Sequence, residues 1–193
     1  MSVDFVLPEN NEEEFIRIAS KLGIKKLYFL YNFKDYEEGK IPDLSESEVD
    51  IETALIASHR NMNKATRANK VLVAKSSEDD RALIESKKIK IIYGFEEIEK
   101  RDSLHHRTSG LNHVLCELAR KSNITIGFAY SSLLNKGSQE ISLIMGRMMQ
   151  NIALCQKYKV KTVLASFSNN PFEIRAKHDV TSLFSMLGKI RTD

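Results

Sequence analysis

Seven short runs in the chain are apolar almost throughout and rich in β-branched or aromatic residues: 3–7 (VDFVL), 25–31 (KKLYFLY), 52–58 (ETALIAS), 70–75 (KVLVAK), 90–95 (KIIYGF), 124–130 (ITIGFAY) and 161–167 (KTVLASF). Runs of this length and composition predict strands buried on both faces, the signature of a parallel sheet covered by helices.

Between most of them the apolar positions change to a helical period. Phe15, Ile16, Ala19 and Leu22 follow Asn11, with Glu14 three residues on as in a capping box, and Gly23 stands where that helix should stop. Leu111, Val114, Leu115 and Leu118 repeat at i, i+3, i+4 and i+7, which predicts an amphipathic helix with Ser109 as N-cap. From Gln139 to Lys159 a second stripe runs through Ile141, Ile144, Met145, Met148, Ile152 and Cys155, ending in Lys157 and Lys159 where the helix dipole favours cations. Methionines at this spacing are read as core. Arg147 interrupts that helix beside Gly146 and is expected on the face opposite the stripe. Val180, Leu183, Phe184 and Leu187 mark a last helix ending at Gly188, followed by a short basic end; residues 35–50, with Gly39, Pro42 and several acids, read as a surface loop.

Strands alternating with helices leave an open doubly wound sheet or a barrel. Seven strands in 193 residues fall short of a regular eightfold barrel of about 250, so the expected fold is α/β, an incomplete or distorted (β/α) TIM-like barrel forming a single domain over 1–193. In either architecture the functional face lies at the C-terminal ends of the strands, where the loops after the fifth, sixth and seventh runs emerge together.

Composition adds exclusions. No apolar run reaches the ~20 residues of a membrane span, and the N-terminus lacks the basic and apolar regions of a secretory signal, which predicts a cytoplasmic protein with no membrane partner. Cys116 and Cys155 are in helical patterns and form no C-x-x-C pair, so both are expected as buried thiols. The net charge of +3 conceals a division: residues 1–50 hold six basic against twelve acidic side chains, and 51–193 hold twenty-three against fourteen. Such a surface can attract a polyanion on one side and a basic protein on the other.

Catalytic chemistry finds little support. There is no H-x-H after the first strand, no G-x-S-x-G, no Walker loop and no G-x-G-x-x-G. The five histidines, His59, His105, His106, His113 and His178, have no local carboxylates at metal-ligand spacing, so neither a metal site nor a catalytic residue is assigned. A polyanion surface accounts for more. Arg107 stands just before the predicted helix start; Lys136, Arg175, Lys177 and His178 lie in the later loops of the same face; Arg60, Lys64, Arg67 and Lys70 form a further basic segment. A distributed set of guanidinium and ammonium groups suits an RNA backbone better than one small substrate. Each of these residues can equally be a solvated loop charge.

The segments LHHRTSGLNHVLCELARKSNITIGFAYSSLL (104–134) and GRMMQNIALCQKYKVKTVLASFSNNPFEIRAKHDVTSLFSMLG (146–188) resemble protein component 3 of archaeal ribonuclease P, counterpart of the thirty-kilodalton subunit of nuclear ribonuclease P. The likeness is dense from Arg101 to Gly188 and looser before. It implies a barrel related to the polymerase-and-histidinol-phosphatase class without the metal ligands. It further implies a noncatalytic subunit of the ribonucleoprotein that removes 5′ leaders from precursor tRNA. The implied partners are the ribonuclease P RNA, the component-2 protein, other ribonuclease P proteins and, through the holoenzyme, precursor tRNA. No cofactor is implied on this chain; Mg²⁺ would act on the RNA. Arg107, Arg147, Arg175 and His178 match the motif positions carried over as RNA- or partner-contacting; Asp102, His105, His106 and Asp179 are assigned orienting or structural roles. The rival readings are a stand-alone metal-dependent phosphoesterase of the same barrel class and a barrel enzyme for a small phosphorylated metabolite.

Overall fold

The computed structural model describes residues 2–36, 48–99, 101–105 and 107–188. The loop expected at 35–50 falls mostly outside these residues, as do His106 and the end beyond Gly188.

All seven expected strands form: β1 (Val3–Val6), β2 (Lys26–Asn32), β3 (Asp50–Ile56), β4 (Val71–Lys75), β5 (Ile91–Tyr93), β6 (Thr125–Ala129) and β7 (Thr162–Ala165). They pair in parallel in sequential order, each with the next. Around them lie α1 (Glu12–Lys21), α2 (Met62–Ala65), α3 (Asp80–Glu85), α4 (His113–Lys121), α5 (Ser138–Tyr158) and α6 (Lys177–Leu187).

The alternation of side chains along each strand explains the near-continuous apolar runs. One set of residues, including Phe5, Leu30, Ala54, Val73, Ile91, Tyr93, Ala129, Ala165 and Phe167, meets inside the rolled sheet. The alternate set, Leu55, Leu72, Ala74, Ile92, Ile126 and Phe128, meets the helices, including the buried Ile144, Met148, Ile152 and Cys155 of α5. Four aromatic rings fill the interior in one stack: Tyr28 on Phe5 (4.6 Å between centroids), Phe5 near Phe167 (5.6 Å) and Phe167 on Tyr93 (4.2 Å). Gly127 on β6 makes room for them, since a Cβ there would stand 2.9 Å from Tyr93 Cβ and 3.1 Å from Phe167 Cζ.

The roll almost closes. At their C-terminal ends β1 and the segment after β7 share one parallel bridge, Val6 with Ser168, where Leu7 N–H donates to Ser168 O (2.9 Å) and Phe167 N–H to Phe5 O (2.7 Å). Below it the buried Asp4 carboxylate takes over, accepting from the Ser166 N–H (2.6 Å), the Ser166 hydroxyl (2.6 Å) and the Phe5 N–H (2.9 Å). Burial pushes this carboxyl up to about 6 despite those donors. Further down, the strands part around a cleft of about 360 Å³ bordered by Val3, Thr162, Arg175 and Thr181.

Two helix starts differ from expectation. Asn11 precedes α1 but makes no side-chain cap; its amide donates to Asn169 O and accepts from the Glu9 N–H, joining two loops instead. The fourth helix begins at His113 rather than at Ser109, capped by Asn112, whose side chain accepts from the Leu115 N–H (3.0 Å). Val114 faces outward at 43 % exposure, and Cys116 and Ala119 take the core positions beside Leu115. Gly23, with φ at +67°, ends α1 as anticipated.

Candidate nucleic-acid interface

The loops after β5, β6 and β7 leave the same end of the barrel and are tied to one another. Lys136, after β6, reaches Glu97, after β5, at 3.1 Å; Asn135 donates to Glu173, after β7, at 2.6 Å; the Ser131 hydroxyl donates to Phe167 O. Arg175 lies over the Tyr130 ring, 5.8 Å from its centroid, and donates through Nη1 to the carbonyls of Phe172 and Ile174.

The longest of these loops, between β5 and α4, is fastened from below by α5. Arg147 is fully buried, not on the outer face, which corrects the reading of it as an RNA or partner contact. Its Nε donates to Asp102 (2.8 Å) and its Nη1 to the carbonyls of Glu96 (2.8 Å) and Glu99 (2.6 Å). One turn on, Asn151 donates to Glu96 Oε1 (2.7 Å) and accepts from the Ser109 hydroxyl (2.7 Å). Asp102 also accepts from the Thr108 N–H (2.8 Å), closing the loop on itself. Ser109 is therefore a link to α5 and not a helix cap.

The electrostatics follow from this burial. Partial desolvation alone would raise the Asp102 carboxyl, but the hydrogen bonds from Arg147 and Thr108 hold it below its ordinary value. Glu96 is raised to about 7 because its burial outweighs the Asn151 hydrogen bond. Glu96 Oε2 and Arg147 Nη2 are buried without a hydrogen-bond partner among the described residues.

Arg107 is exposed, six residues before α4 begins, so the expectation of an anion site at a helix start beside it is overturned. Its guanidinium lies instead on Gly146 of α5: a Cβ at that glycine would be 2.9 Å from Arg107 Nε. Lys136 is ion-paired with Glu97 and Glu140 (3.1 Å each), so its charge is already shared with two carboxylates at this rim. Lys177 and His178 are exposed at the start of α6, with His178 Nδ1 3.6 Å from Asp179. The exposed Arg60, Lys64 and Arg67 do not gather at this rim as a group: their segment runs from the C-terminal end of β3 to Lys70 at the entry to β4, from one end of the barrel to the other.

His59, His105, His113 and His178 are all exposed, and no three His, Cys, Asp or Glu side chains among the described residues come together as a metal site would require. Cys116 and Cys155 are buried and free, close to one another between α4 and α5. Among the described residues no helix is long and apolar enough to cross a membrane.

Sequence reasoning missed Glu96, Asn151 and the room at Gly146 and Gly127. Arg147 and Asn151, four residues apart and each directly before a residue of the apolar stripe, Met148 and Ile152, were the legible sign of a buried polar network.

A rolled parallel sheet, its interior filled by aromatic rings and its loops braced at the strand C-terminal ends, defines a TIM-barrel-like α/β protein. A family model described as RNase P subunit p30 matches residues 100–190, which include the second part of the β5–α4 loop, α4, α5, the loop after β7 and α6. Ribonuclease P protein component 3 of Methanococcus maripaludis strain C5 is 25 % identical over 91 % of this chain and 79 % of its own length. That of Methanosarcina acetivorans is 34 % identical over 45 % of this chain and 38 % of its own. The solved structure "cryo-EM structure of archaeal Ribonuclease P with mature tRNA" contains a chain that superposes with a TM-score of 0.78 at 18 % identity, covering 96 % of this chain and 82 % of that one. The chain is thus similar in sequence to ribonuclease P protein component 3, most densely in its second half, and its fold is that of the superposed chain.

Proposed function

We propose that this chain is a protein subunit of ribonuclease P, acting in the removal of 5′ leaders from precursor tRNA as a scaffold that binds RNA and supplies no catalytic residue of its own. The observation that carries the proposal is the coincidence of two things: the segment matched by the p30 model, residues 100–190, is the one whose loops are locked together at one end of the barrel. Arg175 is presented there by hydrogen bonds that restrict its geometry, and the exposed Arg107 lies against Gly146. Preorganised arginines lose less freedom on gripping a phosphate, and their planar donors suit it.

In this reading Mg²⁺ acts on the catalytic RNA, and the component-2 protein shares the assembly. Precursor tRNA is met through the holoenzyme, alongside other ribonuclease P proteins. Reconstitution of leader cleavage from the cognate RNA and component-2 protein, with and without this chain, tests it. Cleavage should rise when the chain is added; equal cleavage in its absence, together with phosphoesterase turnover by the chain alone, would reverse the assignment.

A further inference from the structure

Phe172 is a large apolar side chain left 65 % exposed on the loop after β7, and it is the one aromatic among the large hydrophobics exposed in the described residues. An isolated exposed apolar residue is ordinary when its loop is loose. This loop is held on every side. The Phe172 N–H donates to the Asn170 side chain, and its carbonyl accepts from Arg175 Nη1 at 2.7 Å. Pro171 before it is buried, and Glu173 after it accepts from Ser168 and Asn135. Asn169 is joined to Glu9 and Asn11 across the barrel seam. The backbone is thereby fixed with the ring directed away from the core.

At the Phe172 carbonyl stands a second flat group. The Arg175 guanidinium, bonded to the Phe172 carbonyl, lies over Tyr130. Positive charge continues at Lys177, two residues on. An exposed aromatic face, a planar guanidinium and a cationic flank are the elements with which proteins hold unpaired nucleotides, the ring stacking on a base and the cations following the phosphates. A purely apolar protein pocket would have no use for the cations. We infer that Phe172 is a stacking platform for one unpaired base of the bound RNA, with Arg175 beside it for the adjoining phosphate. The inference rests on the RNA-binding reading above and adds a ligand subsite to it.

The test uses the complete chain, the component-2 protein and the cognate ribonuclease P RNA. Phe172→Ala and Phe172→Leu should each weaken RNA association about five- to hundredfold, the range that loss of one stacked base produces. Phe172→Tyr and Phe172→Trp should stay within about threefold of the parent. Leucine keeps the apolar volume and loses the π-face, so it separates stacking from protein docking even if alanine disturbs the loop. Retention by leucine with loss by tryptophan would assign the ring to a protein pocket and overturn the inference, as would unchanged affinity in all four variants. Should the parent chain itself fail to associate with the RNA, the RNA-binding reading falls, a result distinct from either of these.

Discussion

At the scale of single residues, the buried polar side chains organise the candidate interface. Arg147 holds two backbone carbonyls and a carboxylate of the β5–α4 loop from inside α5, so Arg147→Ala leaves three acceptors without their donor. Losing one partner of a buried charged network costs about 3–5 kcal/mol, and denaturant unfolding should show a loss of that order. Gly146 makes the opposite trade. Gly146→Ala raises helix propensity by about 1 kcal/mol but displaces the Arg107 guanidinium, a flexible group that can swing away. The expected result is unchanged or slightly raised stability with weakened RNA binding; weakened stability would show that Arg107 cannot yield.

Glu96 and Asp4 make stability depend on pH. Unfolded, they ionise near their ordinary 4.5 and 3.8; folded, at about 7 and about 6. Between those limits the folded state holds more protons, so their contribution is fully present at low pH, falls as pH rises through the window, and is level above about 7. Glu96→Gln keeps an acceptor for Asn151 and removes the titration. Its stability relative to the parent should therefore rise between pH 5 and pH 8, by up to about 3 kcal/mol in urea titrations. A difference that does not change with pH would show Glu96 to be ionised in the folded state throughout.

At the scale of elements, strands proved easier to read than helix ends. A buried parallel strand declares itself by an apolar run, whereas a helix start depends on which of several polar residues turns its side chain inward to the backbone. Ser109 and Asn112 were both eligible before α4. Asn112 caps because the Ser109 hydroxyl is drawn to Asn151 on another helix, a tertiary contact that local pattern cannot reveal. Asn112→Ala should accordingly cost about 1 kcal/mol, against no capping loss for Ser109→Ala. Asn11 failed as a cap for the same kind of reason, its amide being engaged by Asn169. Within β6, Gly127→Ala would push a methyl into Tyr93 and Phe167; overpacking of about 1–3 kcal/mol and a changed near-ultraviolet dichroism of the aromatic stack are expected.

At the scale of the whole molecule, the barrel keeps its shape without an eighth strand because Asp4 and one bridge hold its seam and four rings fill its middle. The surface proposed for RNA binding is the braced end. Arg107→Ala should weaken RNA association in the assembled complex and reduce the slope of log affinity against log salt by about one unit, as for one phosphate contact. Arg175→Ala should do the same with an added loosening of the Phe172 loop. An unchanged slope for both would remove the arginines from the interface.

The amino-acid pattern alone determined the seven strands and their parallel pairing under helices, because these follow from which positions are apolar and at what period; strand number and chain length favoured an incomplete barrel, and the family resemblance rested on particular motif residues between 101 and 188. Tertiary structure decided what each cation does. Arg107, Lys136, Arg147 and Arg175 look alike in sequence, yet one lies on a glycine at the surface, one is held between two carboxylates, one is buried and one rests on a tyrosine. A long charged side chain takes its role from the acceptors within its reach, and those acceptors come from residues distant in the chain.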